Sequence, residues 1–317
     1  MDIIFTVCNR HSLAHALVLA ESVRKYHPER VFWLGWVDSL VLTGISPGIN
    51  ILAVTDVQMA AWPQMEQNYY PFELVPACRP WFALHILNNN PQCTSLTFLA
   101  PTVRIFGPLH GIINPDAAFV LTPNISKPLP EGQLLDDKRI LNTGMFHAGS
   151  WSLRPQENTL AALQWWAERT ADRASYDLCN AMATDQLWLN YVPVWIHDAA
   201  QVEHPGWHYG LHAVLNKNLS QNGEQWTVDG ERLISVDFAG LDFFDPLWSD
   251  YKPLLFRNTD FKSLFAAYRK EVGALGHLFP GDKKPGFGKA VHIAGNRLTR
   301  RKLVRQLKVV TDFIDEL

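Results

Sequence analysis

The sequence has little cysteine and no long apolar run. Its four cysteines, Cys8, Cys78, Cys93 and Cys179, are widely spaced and include no Cys-x-x-Cys pair. This spacing excludes a disulfide framework and favours a reducing compartment. No apolar stretch approaches the length of a membrane span. The chain starts with the strand-like "DIIFTVC", so no signal peptide is expected and we predict a cytoplasmic protein.

Charged residues are also scarce, and they are unevenly placed. They make up 19% of the chain against 47% hydrophobic residues, a balance typical of a soluble globular protein with a sizeable core. Residues 283–310 contain nine Lys or Arg and no Asp or Glu, although the net charge of the chain is −3. A basic tail on an acidic body indicates an anionic partner, such as a membrane surface or a phosphorylated acceptor. Nucleic acid is not expected, because the tail lacks the interleaved aromatic residues of single-strand binders.

The first hundred residues alternate between strand and helix patterns. Buried strands are predicted for the apolar runs "IIFTVC", "VFWLGWV", "INILAV" and "SLTFL". Helices are predicted from Leu13 to about Tyr26, with Ser12 as N-cap, and from near Pro76 or Arg79. This order predicts an α/β fold with parallel strands and right-handed crossovers. Ligands then bind at the carboxyl ends of the strands, near Cys8, Asp38 and Ala100.

The second half combines strands, helices and a hairpin. Strand patterns cover "AAFVLT" and "GMFHAGSWSL", and Asp229-Gly230 supplies the positive φ angles for a hairpin turn within "EQWTVDGERLISVDF". Helices are predicted over Gln156–Thr170 and Ala181–Asn190, near Phe261–Val272, and from about Leu298. We therefore predict one domain over residues 1–250 and a helical, basic extension over residues 251–317.

Nine short segments carry a resemblance to a known family. In chain order they are "TVCNRHSLAHALVLAESVRKYHP", "CRPWFALHIL", "TFLAPTVRIFGPL", "VLTPNISKPLP", "MFHAGSWSLR", "LQWWAERT", "TDQLWLNYVP", "HPGWHYGLHAVLN" and "VDFAGLD". Together they resemble bacterial glycosyltransferases of the GT-A fold related to the glycogenin-like retaining enzymes. The resemblance implies a Rossmann-like mixed sheet flanked by helices and a nucleotide-sugar donor. The basic tail lies outside it.

The resemblance also implies roles for particular positions. Those expected to contact the nucleotide are Thr6, Cys8, Asn9 and Arg10 at the base and ribose, Asp38 at the rim of that pocket, and Arg79 at the diphosphate. Asp185 and Gln186 match an Asp-Gln pair near the sugar-transfer centre, where they would orient the sugar. Asp185 has an alternative structural role, because an acidic residue at a helix N-terminus is stabilised by the helix dipole.

The turn in "LTFLAPTVRIF" departs from the family pattern. Ala100 and Thr102 stand where relatives have the two aspartates of an Asp-Pro-Asp metal site, and Asp237 stands where they have a histidine ligand. Mg²⁺ and Mn²⁺ prefer carboxylate oxygens. We therefore predict that dependence on these ions is lost, and we assign no metal ligand and no cofactor beyond the nucleotide-sugar substrate. Ala100, Thr102 and Asp237 would still belong to the donor pocket.

Two histidines, His147 and His208, occupy positions where relatives have asparagine. Sugar transfer needs positive charge near the leaving diphosphate. Imidazolium groups at these positions, together with Arg79 or Lys217, could supply it. The alternative for His147 is a hydrogen-bonded residue of the core.

A zinc site is an alternative for His208. His204, His208 and His212 are spaced by four, so on a continuous helix they would share one face, as zinc ligands can. Pro205 and Gly206 interrupt any helix at that point, which disfavours the idea.

These assignments predict a hexosyltransferase that needs no metal, and the family resemblance implies that it retains the anomeric configuration. It would move a sugar from a nucleotide-sugar to an unknown acceptor, which is a glycan, a lipid-linked sugar or a protein. The alternative is a degenerate relative that binds a nucleotide-sugar or a partner without transfer. Loss of the metal ligands favours this alternative, and retention of Arg79, Asp185 and Gln186 disfavours it.

The tail predicts an amphipathic basic helix. Its apolar stripe consists of Leu303, Leu307, Val310, Ile314 and Leu317, and its basic residues are Arg300, Arg301, Lys302, Arg305 and Lys308. Such a helix can lie on the anionic inner face of a membrane. The alternative is that the stripe packs on the core of the protein, which the acidic residues in "TDFIDEL" favour.

Overall fold

A computed structural model describes most of the chain. It covers residues 1–132, 134–223, 225–276 and 284–290, and the single tail positions 299, 303, 304, 306, 307, 310 and 314. The start of the predicted last helix at Leu298 lies outside the described residues, as do the five basic residues of the amphipathic pattern and Leu317. The seven described tail positions are helical.

Fourteen strands were identified in the described residues. They are β1 Asp2–Cys8, β2 Val31–Trp36, β3 Ile49–Ala53, β4 Ser95–Leu99, β5 Val103–Ile105, β6 Phe119–Pro123, β7 Phe146–Leu153, β8 Tyr176–Asp177, β9 Met182–Ala183, β10 Ala199–Gln201, β11 Leu219–Asn222, β12 Gln225–Val228, β13 Glu231–Arg232 and β14 Ser235–Asp237. The central sheet has the order β10-β6-β7-β4-β1-β2-β3. β7 is antiparallel to β4 and β6, and the other neighbours are parallel. The predicted α/β fold with a mixed sheet is confirmed.

Helices flank this sheet. The α-helices are α1 Leu13–Tyr26, α2 Trp62–Asn68, α3 Pro71–Asn89, α4 Asp137–Thr143, α5 Glu157–Thr170, α6 Val192–Trp195 and α7 Thr259–Leu275. Short 3₁₀ helices cover Val54–Asp56, Leu178–Asn180, Gln186–Tyr191 and Ser249–Arg257. Among the described residues, no helix has the length and apolar character needed to cross a membrane.

Two details of the helix predictions are wrong. α3 begins at Pro71, where the Tyr70 N–H donates to Glu73 Oε2 at 2.9 Å and a proline fits the first turn. Pro76 therefore lies inside the helix and does not start it. Ser12 precedes α1, but its side chain makes no capping hydrogen bond.

The predicted helix Ala181–Asn190 does not form as such. Ala181 and Thr184 have φ angles of 54° and 52°, which are left-handed and incompatible with an α-helix. The segment consists of β9 followed by the 3₁₀ helix that starts at Gln186. Asp185 therefore lies at the start of a 3₁₀ helix, and its side chain makes no capping bond there.

The predicted hairpin is correct at its turn and shorter than expected. Asp229 and Gly230 have φ angles of 52° and 87°, and β12 pairs with β13 across them. The rest of the pattern forms β14, which pairs with β5 so that Asp237 lies opposite Val103. This pairing brings Asp237 next to the turn at residues 100–102.

Buried residues between Tyr251 and Tyr268 pack in a second hydrophobic cluster, together with residues in and after β14. Phe238 follows β14 and stacks on Tyr268 of α7 with ring centroids 3.9 Å apart. Farther along, the Gly286 N–H donates to Asp38, and the Lys289 N–H donates to the Tyr69 carbonyl at 2.7 Å. A division of the chain at residue 250 remains a prediction.

Candidate functional site

A pocket of about 340 Å³ lies at the carboxyl ends of β1 and β4. Eight of the predicted site residues line it, namely Asn9, Arg79, Ala100, Thr102, His147, Asp185, Gln186 and Asp237. The other six, Thr6, Cys8, Arg10, Asp38, His208 and Lys217, are outside this lining. The position agrees with the rule that ligands bind beyond the carboxyl ends of parallel strands.

The loop after β1 is held by a buried ion pair. Arg10 donates from Nε to Asp38 Oδ2 at 2.7 Å and from Nη2 to Oδ1, and its backbone N–H also points to Oδ2. Burial favours the neutral carboxyl, but the hydrogen bonds and charge of Arg10 hold the pKa of Asp38 below its usual range. Because Asp38 is buried and its oxygens are hydrogen-bonded to Arg10, it holds the Asn9–Arg10 loop in place from the side away from the pocket.

Thr6 and Cys8 are fully buried in β1. Burial, with the nearby charge of Asp38, raises the pKa of the Cys8 thiol, so it stays protonated. Neither side chain reaches the pocket, so any contact to a nucleotide from β1 comes from the loop that follows it.

Arg79 on α3 and Asp185 form a second ion pair, in which Asp185 is buried and Arg79 is partly exposed. Arg79 Nη1 lies 3.2 Å from both Asp185 oxygens and 3.4 Å from the Ala148 carbonyl. The guanidinium also lies 5.0 Å from the ring centroid of Phe98. Burial raises the pKa of Asp185, and the charge of Arg79 opposes that rise. Both groups line the pocket, so a cation and a carboxylate are held side by side at its wall.

Gln186 follows Asp185, and its amide is committed to the backbone. Its Oε1 accepts from the Ala148 N–H at 3.1 Å, and its Nε2 donates to the Thr143 carbonyl at 3.0 Å. These bonds tie β7 to the end of α4. Gln186 thus fixes the position of Asp185 as well as facing the pocket.

The turn between β4 and β5 does not provide the two carboxylates of a metal site. Thr102 Oγ1 donates to Asp237 Oδ1 at 2.6 Å, and the Ala239 N–H donates to the same oxygen at 3.0 Å. Ala100 has no polar side-chain atom. The turn residues themselves therefore do not fit a Mg²⁺ or Mn²⁺ ion held by paired carboxylates.

Two imidazoles face the other oxygen of Asp237. His208 Nε2 lies 3.4 Å and His147 Nε2 lies 3.6 Å from Asp237 Oδ2. The two rings meet edge to face with centroids 4.4 Å apart, and His212 is next to both. We call His147, His208 and Asp237 the imidazole–aspartate cluster; all three are buried.

The expected imidazolium at position 147 is not supported. Burial, followed by the neighbouring His208, lowers the pKa of His147 well below its usual value. Burial likewise lowers the pKa of His212 to about 3. Burial therefore favours the uncharged form of both rings. Arg79 is the permanent cation among the described residues that line the pocket.

The zinc site expected as an alternative on one helix face is wrong. Residues 205–216 form turns instead of a helix, and His208 has a φ angle of 52°. His204 is outside the cluster, and its Nδ1 accepts from the Gly206 N–H at 3.1 Å. Of the three histidines spaced by four, only His208 belongs to the group that can bind a metal within the described part of the chain.

Lys217 lies away from the pocket. Its Nζ points to the Pro205 carbonyl at 3.4 Å, and burial lowers its pKa. Contact of Lys217 with the diphosphate stays a prediction.

Asp245 is a pocket residue that the sequence analysis missed. Its Oδ1 accepts from the N–H groups of Leu247 at 2.8 Å and Trp248 at 3.1 Å. Burial, and next the charge of Asp237, raise the pKa of Asp245 to about 6. The Asp-Pro pair at positions 245 and 246 is a turn signal that could have identified it.

Comparison with known proteins gives distant similarities. No family model matches the chain. The uncharacterized protein YfnF of Bacillus subtilis (strain 168) is 23% identical over 207 residues, which are 61% of this chain and, at 64%, just under two thirds of that protein. The solved galactosyltransferase LgtC, in complex with donor and acceptor sugar analogs, is 13% identical, with 82% of this chain and 96% of that chain covered and a TM-score of 0.44. A glycosyltransferase involved in the glycosylation of the major capsid of PBCV-1 is 10% identical, with 81% and 100% covered and a TM-score of 0.44.

Proposed function

We propose that the protein transfers a sugar from a nucleotide-sugar to a hydroxyl group of a glycan, a lipid-linked sugar or a protein. The observation that carries this proposal is the Arg79–Asp185 ion pair in the wall of a pocket at the carboxyl ends of β1 and β4. A guanidinium binds diphosphate oxygens well. A carboxylate beside it stabilises positive charge at the anomeric carbon.

The contacts of Arg79 and Asp185 support different roles for the two residues, with Arg79 binding the diphosphate and Asp185 stabilising the sugar. Arg79 donates its hydrogen bonds to Asp185 and to the Ala148 carbonyl through Nη1. We propose that its positive charge also attracts the diphosphate of an incoming nucleotide-sugar. Gln186 holds Asp185 against β7 through its two backbone bonds. We propose a retaining outcome, in which the leaving diphosphate takes the proton of the acceptor hydroxyl on the face from which it departs.

We also propose that this reaction does not depend on Mg²⁺ or Mn²⁺. The hydrogen bond between Thr102 and Asp237 supports this, because it directly joins two positions where the family resemblance implies metal ligands. The side chains that remain at the turn offer no carboxylate pair for a hard cation.

A degenerate protein that binds the donor without transfer is the second candidate. The commitment of both ends of the Gln186 amide to backbone groups favours it, because that amide then makes no bond to a sugar. Burial also lowers the pKa of His147, which disfavours a cationic role for this ring in catalysis.

Donor hydrolysis over a panel of nucleotide-sugars, with and without EDTA, separates the two candidates. Turnover of one donor, abolished in Asp185→Asn, is the result expected of the enzyme. Saturable binding of a donor, with no hydrolysis and no transfer to a panel of glycan, lipid and protein acceptors, would instead establish the degenerate protein.

The tail leads to a separate proposal about a partner. The described stripe residues Leu303, Leu307, Val310 and Ile314 are between 54% and 60% exposed, so they are not buried on the core. We propose that the basic tail contacts anionic membranes, where each basic residue contributes about 1 kcal/mol. The full chain should sediment with anionic vesicles at low salt, and a chain truncated after Asn296 should not. Equal sedimentation of both would refute membrane contact through the tail.

A further inference from the structure

The imidazole–aspartate cluster contains three polar atoms that face one another without hydrogen bonds. His147 Nε2, His208 Nε2 and Asp237 Oδ2 are buried and have no hydrogen-bond partner. The ligand atoms of the three residues all lie within 4.8 Å of one another. Buried polar atoms are nearly always paired, so three neighbouring atoms without a hydrogen bond favour a ligand that binds all three.

The distances fit a metal ion better than they fit direct hydrogen bonds. The contacts from Asp237 Oδ2 to the two Nε2 atoms are 3.4 and 3.6 Å. A charge-assisted N–H···O bond is about 2.8 Å long. Two ligands bound tetrahedrally to one ion at about 2.1 Å are about 3.4 Å apart, which matches the observed spacing.

The charges at the pocket also favour a cation. Four carboxylates line it, those of Asp185, Asp237, Asp242 and Asp245. Asp185 pairs with Arg79, and Asp242 pairs with Arg269. Among the described residues, no Lys or Arg forms an ion pair with Asp237 or Asp245. Within the described residues, Asp237 and Asp245 are therefore the two lining carboxylates whose negative charge is not balanced by an ion pair with Lys or Arg, and a cation beside them would supply that balance.

We propose that His147, His208 and Asp237 bind a divalent transition-metal ion such as Zn²⁺. Two imidazoles and one carboxylate form a donor set that suits Zn²⁺ or Co²⁺, whereas Mg²⁺ and Mn²⁺ prefer sites made of oxygen. His147 and Asp237 line the pocket, so a coordination position is left open on that side. The site is compatible with a reaction independent of Mg²⁺ and Mn²⁺, and it does not depend on sugar transfer taking place.

His147 is the weakest of the three ligands. Its Nδ1 accepts a hydrogen bond from the Gly149 N–H at 3.0 Å, so the neutral ring carries its proton on Nε2. Coordination through Nε2 displaces that proton and gives up the bond to Gly149. His208 has no hydrogen bond at either ring nitrogen, so it coordinates without such a loss.

The test is a Co²⁺ titration of full-length protein first freed of metal with a chelator. The wild type should bind about one Co²⁺, with visible absorption bands typical of four or five ligands, and Zn²⁺ should displace it. His208→Ala and Asp237→Asn should each weaken binding by at least about tenfold, and His147→Ala should weaken it less. Absence of stoichiometric binding by the wild type would overturn the proposal whatever the variants do.

Two control variants identify binding elsewhere on the chain. His204→Ala removes a neighbouring histidine outside the cluster, and Cys179→Ser removes an exposed thiol. Both should bind Co²⁺ like the wild type. If either of them loses the ion, or if folded His208→Ala and Asp237→Asn keep the wild-type affinity, the ion is bound elsewhere and the assignment is wrong. Circular dichroism and thermal unfolding establish that each variant is folded.

Discussion

Asp38 and Asp237 are both buried carboxylates near the pocket, but their surroundings differ. Asp38 receives two guanidinium bonds from Arg10, and its oxygens also accept from the N–H groups of Arg10, Leu40 and Gly286. Asp237 is satisfied at Oδ1 by Thr102 and Ala239, whereas its Oδ2 is unpaired. An unpaired buried oxygen lowers stability. The difference agrees with a stabilising role for Asp38 and with the ligand site that we propose at Asp237.

Removal of the two carboxylates should therefore have unequal effects on stability. Asp38→Ala leaves the buried Arg10 without a counterion and should lower the free energy of unfolding by about 3–5 kcal/mol. Asp237→Asn keeps an oxygen for Thr102 and Ala239 and should cost about 1 kcal/mol or less. Urea unfolding of metal-free protein measures both. Equal losses of unfolding free energy in the two variants would contradict the different roles assigned to Asp38 and Asp237.

The second prediction concerns Arg79, which the proposed function assigns to the diphosphate. Arg79→Lys keeps a positive charge for Asp185 but removes the planar fork that can bind two groups at once. The affinity for the nucleotide-sugar should fall about tenfold, which is about 1.4 kcal/mol. Calorimetry measures it. Arg104→Lys is the matched control, because Arg104 pairs with Glu271 outside the pocket lining. A similar loss in the control would mean that Arg79 has no special role.

The third prediction separates the two oxygens of Asp237. Thr102→Val removes the hydroxyl that donates to Oδ1 and should lower the free energy of unfolding by about 1 kcal/mol. Thr102→Ser keeps the hydroxyl and should recover most of that loss. If the valine and serine variants are equally stable, the hydrogen bond from Thr102 contributes nothing to the free energy of unfolding. The two oxygens of Asp237 would then not differ in the way described above.

The sequence predicted the elements better than it predicted the site. Apolar runs and helical spacing identified six of the seven strands of the central sheet and α1, because burial leaves a strong pattern, but they missed the short edge strand β10. The sequence did not locate the start of α3, because proline favours the first turn of a helix and both Pro71 and Pro76 fit that pattern, whereas only Pro71 begins the helix. Left-handed backbone at Ala181 and Thr184 has no signal in those residue types.

Site residues distant in sequence were the hardest to place. The pairing of β14 with β5 brings Asp237 to Thr102, and no local pattern shows that pairing. The charge of His147 depends on its burial beside His208, and position in the chain does not reveal burial. The resemblance placed Arg79 and Asp185 in one site, and the structure adds that they form an ion pair.

The smallest expected effect is the response to Mn²⁺. Thr102 already donates a hydrogen bond to Asp237 Oδ1, and the turn at residues 100–102 has no carboxylate of its own. Mn²⁺ therefore has few oxygen ligands there. In protein freed of other metals, the affinity for a nucleotide-sugar should differ by less than about tenfold, or about 1.4 kcal/mol, between EDTA and Mn²⁺. Zn²⁺ is the informative comparison, because a site with nitrogen ligands binds Mn²⁺ more weakly than it binds the other divalent first-row ions, including Zn²⁺. Calorimetry with each ion in turn measures the difference. A gain of tenfold or more with Mn²⁺ would show that Asp237 binds a hard cation. The difference between Asp237, with one oxygen free of hydrogen bonds, and Asp38, which is paired with Arg10, would then reflect an oxygen-rich metal site.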